Sequence, residues 1–332
     1  MKHLTLLLAA SMLAFGLSAC SGKSDDKATI VETQDLPTID MVATHAIDLD
    51  MSVAQLTFVP NSVAPWLGRI ILLDDNGRLY STDIEGREPK PVGSGKYIDI
   101  FGLAREAAPG VFLAINTDNH IEAFIESDND GNFSPMIYSG EDIDAKLLCI
   151  AFAPAKSSAQ ILDASNFINT TELSLIDNVI QLETIDSFTF GAKIYDCSYD
   201  VLNYGVKTKY ETVLRSKDEP RSGIGFVGTT GAQEYFLVSL NKLTGLSAIN
   251  IVGEVDSLQI KIKNGLSVRG LEHVKYVAST QSNYGGGAYA DGVLALVDKD
   301  ENRIVFISLG YAERQLLKAV NQTENTTEET PQ

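Results

Sequence analysis

Three groups of side chains in this sequence have the types and spacing to do chemistry. In "SDNDGNF", Asp128, Asp130 and Asn132 alternate as the first oxygen ligands of a calcium loop do. A full loop adds a glycine after the third ligand and a late carboxylate. Here Phe133 follows Asn132, and the next carboxylate is Glu141. The alternative is an Asp/Asn/Gly hairpin turn. "LVDKDEN", with Asp298, Asp300 and Asn302, offers the same choice. The second group is the loop "STQSNYGGGAYADGV", residues 279–293. A phosphate cradle needs backbone N–H groups at a helix N-terminus or a cationic partner. β runs flank this loop, so it reads as an enlarged connection with Gln281, Asn283 and Tyr284 as contacts for an unknown ligand. The third group is Cys149, in "KLLCIAFAP", and Cys197, in "KIYDCSYD". They form a disulfide if neighbouring strands bring them together, or else stay as two separately buried thiols. His45, His120 and His273 have no metal-site spacing. No Gly-x-Ser-x-Gly elbow is present, and "PVGSGKY" lacks the spacing of a phosphate-binding Walker loop.

The elements that position these groups begin after an export signal. "MKH" is a short basic start, and "LTLLLAASMLAFGL" is an apolar run too short for a permanent membrane helix. The ending Leu17-Ser18-Ala19-Cys20 resembles the bacterial lipobox. That resemblance implies cleavage before Cys20 and acylation of that residue, so that 1–19 is a signal peptide and the mature chain is anchored by several acyl chains. Ser21 after the cysteine directs such lipoproteins to the outer membrane, facing the periplasm or the cell surface. Residues 20–40 read as the acylated N-terminus and a polar tether, 41–320 as the fold and 321–332 as a polar, disordered tail. The formal net charge is −18. A surface this acidic repels nucleic acid and anionic headgroups, and suits a cationic partner, a divalent metal or solubility alone. The expected partners are the membrane through the lipid anchor, with an envelope protein or a phosphorylated small molecule; nucleic acid is not among them.

Helical periodicity is nearly absent, with "YAERQLLKAV" (311–320) the best candidate. Elsewhere short β runs alternate with turns. "GRIILLDDNGRLYSTDIEG" gives strands over 70–73 and 78–84 about an Asp75-Asn76-Gly77 turn. Further hairpins turn near Asp118-Asn119, Asp130-Gly131 and Lys299–Glu301. These fall into units near 54–93, 97–139, 144–188, 190–217, 222–256 and 258–309, each long enough for three or four strands. Antiparallel units of this length predict an all-β fold, a five- or six-bladed β-propeller. "THAIDLDM" would pair with the last blade and close the ring. A pair of β-sandwiches is the architectural alternative.

Four stretches resemble the β-propeller phytases. They are residues 69–104, 111–136 and 264–306, with 193–220 a weaker fourth. The third carries "VRGLEHVKYVASTQSN" where that family has Glu-Gly-Leu followed by Ser-Gln-Gly-Asn. The resemblance implies a calcium-dependent phosphomonoesterase in which clustered carboxylates hold metal ions that neutralise phytate and activate water. Several positions depart from it. Arg269 replaces the motif glutamate, Thr117 and Asp118 follow "AIN" where an arginine is expected, and "SVAPWLGR" lacks an early metal-binding aspartate. Asp99 in "YIDIF", Lys217-Asp218 in "LRSKDE", Gln281 and Asn283 persist. With most cations and carboxylates lost, the reading is a degenerate, non-catalytic binding or scaffold module at the envelope. The rival is a hydrolase rebuilt around Asp99, Lys217 and Asp218. An unrelated propeller used in outer-membrane assembly is a third.

Overall fold

In the computed structural model the described residues are 37–328, except 62, 104–108, 129, 141–142, 153–157, 164, 166, 177–178, 190–197, 202–209, 213–222, 229–233, 242–244 and 251–257. Two short strands come first, β1 (Thr38–Val42) and β2 (His45–Asp48). The first blade is β3 (Val53–Val59), β4 (Arg69–Asp74), β5 (Leu79–Thr82) and β6 (Lys90–Val92), an antiparallel meander. The second is β7 (Tyr97–Leu103), β8 (Val111–Asn116), β9 (Ile121–Glu126) and β10 (Phe133–Gly140). The third is β11 (Ala145–Phe152), β12 (Ser158–Asp163), β13 (Phe167–Ile176) and β14 (Val179–Thr189); β14 pairs in parallel with β10, so the second and third units share one continuous sheet. A two-stranded unit, β15 (Ser198–Val201) with β16 (Tyr210–Thr212), lies beside β11. Then come β17 (Ile224–Val227), β18 (Phe236–Asn241), β19 (Gly245–Asn250) and β20 (Leu258–Lys263), whose outer edge takes β1 in parallel. The last blade is β21 (Val274–Thr280), β22 (Val293–Asp298) and β23 (Arg303–Ser308).

This is a β-propeller, and "THAIDLDM" completes its last blade, as the sequence suggests. β2 supplies the fourth strand of the last blade, with His45 opposite Phe306 and Asp48 opposite Arg303. Three boundaries differ from the sequence reading. The fold starts at Thr38, inside the stretch set apart as tether, because β1 finds an edge on β20. β20 closes the blade of β17–β19 instead of opening the last one. Its residues alternate between buried and exposed, as an outer strand with one wet face does. Among the described residues the one α-helix, α1 (Leu309–Glu328), starts earlier than expected and runs on into the polar stretch 321–332. Leu309, Ala312, Leu316 and Val320 form its buried stripe, against the core shared by β1, β17 and β22.

The second strand of a blade is covered on both faces, so it reads as a continuous apolar run. "RIILLD" and "VLALVD" are buried at every position. Each run ends in a residue that organises the next turn. Asp74 Oδ1 accepts from the N–H of Asn76 (2.9 Å) and Arg78 (2.7 Å), and Asn116 Oδ1 accepts from Asp118 (2.9 Å) and His120 (3.0 Å). Asp163 does the same for Ser165 and Phe167, and Asp298 holds the N–H of Asp300. In the first two of these turns the position three residues on has a positive φ, 80° at Gly77 and 67° at Asn119, which only Gly or Asn adopts readily.

Between blades lie apolar seams. Val59, Ile71, Phe112 and Phe124 join the first two blades, and Leu56, Phe58, Tyr276 and Phe306 join the last to the first. The inner strands approach closely. The Gly102 N–H donates to Thr57 Oγ1 at 2.8 Å, and the Phe226 N–H donates to Ser279 Oγ at 2.7 Å. A Cβ on Gly102 would overlap the carbonyl of Phe58. Gly102→Ala should therefore lower stability by about 1–3 kcal/mol, the usual cost of overpacking. The denaturation midpoint checks this; an unchanged midpoint would mean that β3 and β7 are free to separate.

Candidate functional site

The inner strands run side by side in one direction. Gln55 Nε2 donates to the carbonyl of Ile98 (3.2 Å) near the starts of β3 and β7. Lys275, at the start of β21, donates to Asp75 (2.7 Å) in the first blade, and Asp75 also accepts from Ser52 (2.5 Å). At the other end Tyr284, just past β21, meets Phe58 and Arg69 at the end of β3 and the start of β4. The connections therefore sort to two ends of the ring. One carries the turns after Asp74, Asn116 and Asp298. The other carries the loop 60–68, the turns 83–89 and 127–132, and the glycine loop.

The glycine loop is built into the second end. Tyr284 is buried, its ring edge-on to Phe58 at 5.3 Å between centroids, and its hydroxyl donates to the Arg69 carbonyl at 2.9 Å. Burial pushes that hydroxyl well above the ordinary phenol range. The chain passes close over Gly68, where a Cβ would stand 2.8 Å from the Tyr284 ring. Gln281 donates to the Gly228 carbonyl, tying the loop back to the blade of β17. Asn283 Oδ1 accepts from the Gly285 N–H at 2.7 Å. Tyr284 is a core anchor and Gln281 a loop tie, while Asn283 is exposed and bends its own loop.

Beside Tyr284 lies a buried charge cluster that no local sequence signal marks. Arg69, 6% exposed, places Nε 3.3 Å from Glu126 and Nη1 3.9 Å from Asp83. Asp83 also pairs with Arg87 at 3.2 Å, and Gly131 packs against the Arg69 guanidinium. The cluster joins the first two blades. Burial raises the Glu126 carboxyl, with Arg69 opposing.

The candidate calcium ligands lie in a turn. Asp128 Oδ1 accepts from the N–H of Asp130 (2.9 Å) and Asn132 (3.2 Å), and Oδ2 accepts from Asn132 Nδ2 (2.6 Å). The Asn132 side chain and N–H hold the Asp128 carboxyl below its ordinary range. This is the same staple as at Asp74, with Gly131 at the positive-φ position. Among the described residues no three acidic, His or Cys side chains are placed to hold a metal. The donors present do not form a calcium shell.

Asp99 is 1% exposed in the first half of β7, and its Oδ1 accepts from the Ile100 N–H at 2.8 Å. Asn283 lies beyond the last residue of β21, at the other end of the inner strands. The structure does not bring these two together. Cys20, Lys217, Asp218 and Cys197 lie outside the described residues. The Cys149 backbone pairs with Gln160, and the Cys149–Cys197 pairing falls outside what is described.

Two outcomes follow from this geometry. Tyr284→Phe should cost about 1 kcal/mol and Tyr284→Ala about 3–5 kcal/mol, measured by denaturant unfolding. Changes within about 0.5 kcal/mol would make Tyr284 a surface contact. Glu126 has a folded pKa raised above its unfolded value. Its contribution is present at low pH and is lost as pH rises through the folded value. The stability of wild type relative to Glu126→Gln should thus fall as pH rises above the ordinary glutamate value of about 4. A rise would mean that Arg69 outweighs burial.

No protein-family model matches the chain, and no curated protein matches it. Among solved structures it is similar to the Myceliophteria thermophila Cps50 (Swd1) β-propeller domain, with 10% identity and a TM-score of 0.43 over 77% of this chain and 83% of that one. A chain of the mitotic checkpoint complex gives 10% identity and a TM-score of 0.44 over 90% of this chain and 98% of that one. Likenesses this distant carry no argument about function, and the propeller assignment rests on strand order and closure.

Proposed function

We propose that this chain is a lipid-anchored envelope protein whose β-propeller binds a partner and does not turn over a phosphate ester. The observation that carries this reading is the separation of the polar residues that the phytase resemblance would gather. Asp99 is buried toward one end of the inner strands and Asn283 is exposed past the other. Phosphoryl transfer works by positioning, so its groups must converge on one phosphate. Asp128 spends its carboxylate on its own turn, which leaves the hairpin complete without a metal. The envelope address is supported by Leu17-Ser18-Ala19-Cys20 and by the polar stretch after it.

The test is phosphate release from phytate and from a chromogenic phosphate ester, by the lipidated chain in detergent with excess calcium. No release above buffer is expected. Release that a chelator abolishes and Lys217→Ala removes would replace this reading with the hydrolase. Acylation is read by incorporation of labelled fatty acid, which Cys20→Ala should abolish; labelling that persists in that variant would overturn the anchor.

A further inference from the structure

The sequence has one tryptophan, and the fold puts it in water. Trp66 is 70% exposed and its neighbour Val63 75% exposed, in the loop between β3 and β4. The backbone beneath them is fixed. Asn61 Oδ1 accepts from the N–H of Val63 (3.1 Å) and Ala64 (2.9 Å). Pro65–Leu67 form a 3-10 turn closed by Leu67 N–H to the Ala64 carbonyl (2.8 Å) and Gly68 N–H to the Pro65 carbonyl (3.0 Å). Gly285, at φ 84°, lies against the Trp66 backbone, where any side chain would be strained and would press on it. An aromatic on a held backbone loses little freedom on binding, which is what an interface anchor needs.

The surroundings say what it would bind. At the same end of the first two blades, the turns 83–87 and 127–132 are both tied to Arg69, which adjoins the Trp66 loop. They present Glu85, Asp128 and Asp130 to solvent. Arg87 with Glu85, Lys90 and the Asp128 carboxylate all have partners there, but the acids Asp83, Glu85, Glu126, Asp128 and Asp130 outnumber the cations Arg69, Arg87 and Lys90. Arg87 pairs with Asp83 and Glu85, and Lys90 donates to the Asp130 carbonyl at 2.8 Å. The chain as a whole carries −18.

We infer that this end of the propeller is a docking surface for a basic segment of another protein. Apolar side chains of that segment cover Trp66 and Val63, and its Lys or Arg residues face Glu85, Asp128 and Asp130 or stack on the indole. The inference rests on the binding-module reading and names its partner class.

The test uses the full chain in detergent, three short fluorescein-labelled peptides and anisotropy. One peptide is Lys/Arg-rich with a Phe and a Leu, one is its Asp/Glu-rich counterpart, and one is Lys/Arg-rich without apolar residues. Only the first should bind well, with a blue shift of Trp66 emission and weakening as salt is raised. Trp66→Ala should weaken it about tenfold or more. Glu85→Gln with Asp128→Asn and Asp130→Asn should weaken it too, and Asn at 128 can still hold the turn, as Asn116 does in its own. No binding of the first peptide, equal binding of the acidic one, or unchanged affinity in Trp66→Ala overturns the proposal. So does a blue shift produced by phosphatidylcholine vesicles alone, or Trp66-dependent self-association in sedimentation. Phosphate release decides the binding-module reading separately: a silent hydrolase assay with no peptide binding removes this surface and leaves that reading standing.

Discussion

A ring of blades holds only if its last member is tied to its first, and in this protein that seam governs the rest of the molecule. β2, from the start of the fold, completes the last blade against β23. Ile47, Leu49, Phe58, Tyr276 and Phe306 fill the space between the last and first blades. Lys275 with Asp75 and Ser52 ties one end of the seam, and Tyr284 with the Arg69 carbonyl ties the other. The glycine loop belongs to this second tie. Gly285 lets the loop carry a buried tyrosine across to the neighbouring blade while passing close to the Trp66 backbone.

Arg69 extends the same tie into the next seam. Its backbone receives Tyr284, and its side chain reaches Glu126 and Asp83. One residue therefore couples the last, first and second blades. A buried cation of this kind is weak evidence for stability, since desolvation offsets much of the attraction. Its clearer effect is geometric, because it fixes how the turns 83–87 and 127–132 stand beside the Trp66 loop. The surface proposed for partner binding is thus positioned by the seam.

Much of this fold is legible in the sequence because its information is local. "RIILLDDNGRL" states a covered strand, a turn and a return strand within a few residues, and the structure has all three. The closing role of "THAIDLDM" is legible because a short strand with no partner beside it in sequence must pair elsewhere. The fate of "LQIKIK" is less so, since alternation marks an outer strand without saying which blade owns it. Asp128, Asp130 and Asn132 are ambiguous in sequence because a calcium loop and a stapled hairpin both begin with alternating Asp and Asn. The recurrence of that staple at Asp74, Asn116 and Asp163 was the available signal for a turn. The Arg69 cluster could not be read at all, because Asp83 and Glu126 meet it only after the blades pack. Nor could the exposure of Trp66, since a lone tryptophan is more often a core residue.

The central claim is that the first and last blades form one cooperative unit through this seam. Native-state hydrogen exchange measures it directly, by comparing the opening free energies of amides in β2 and β23 with those in β4 and β8. The account predicts that the two sets open together, at the free energy of global unfolding. Amides of β2 and β23 that exchange at a distinctly lower free energy, with β4 and β8 still protected, would contradict it.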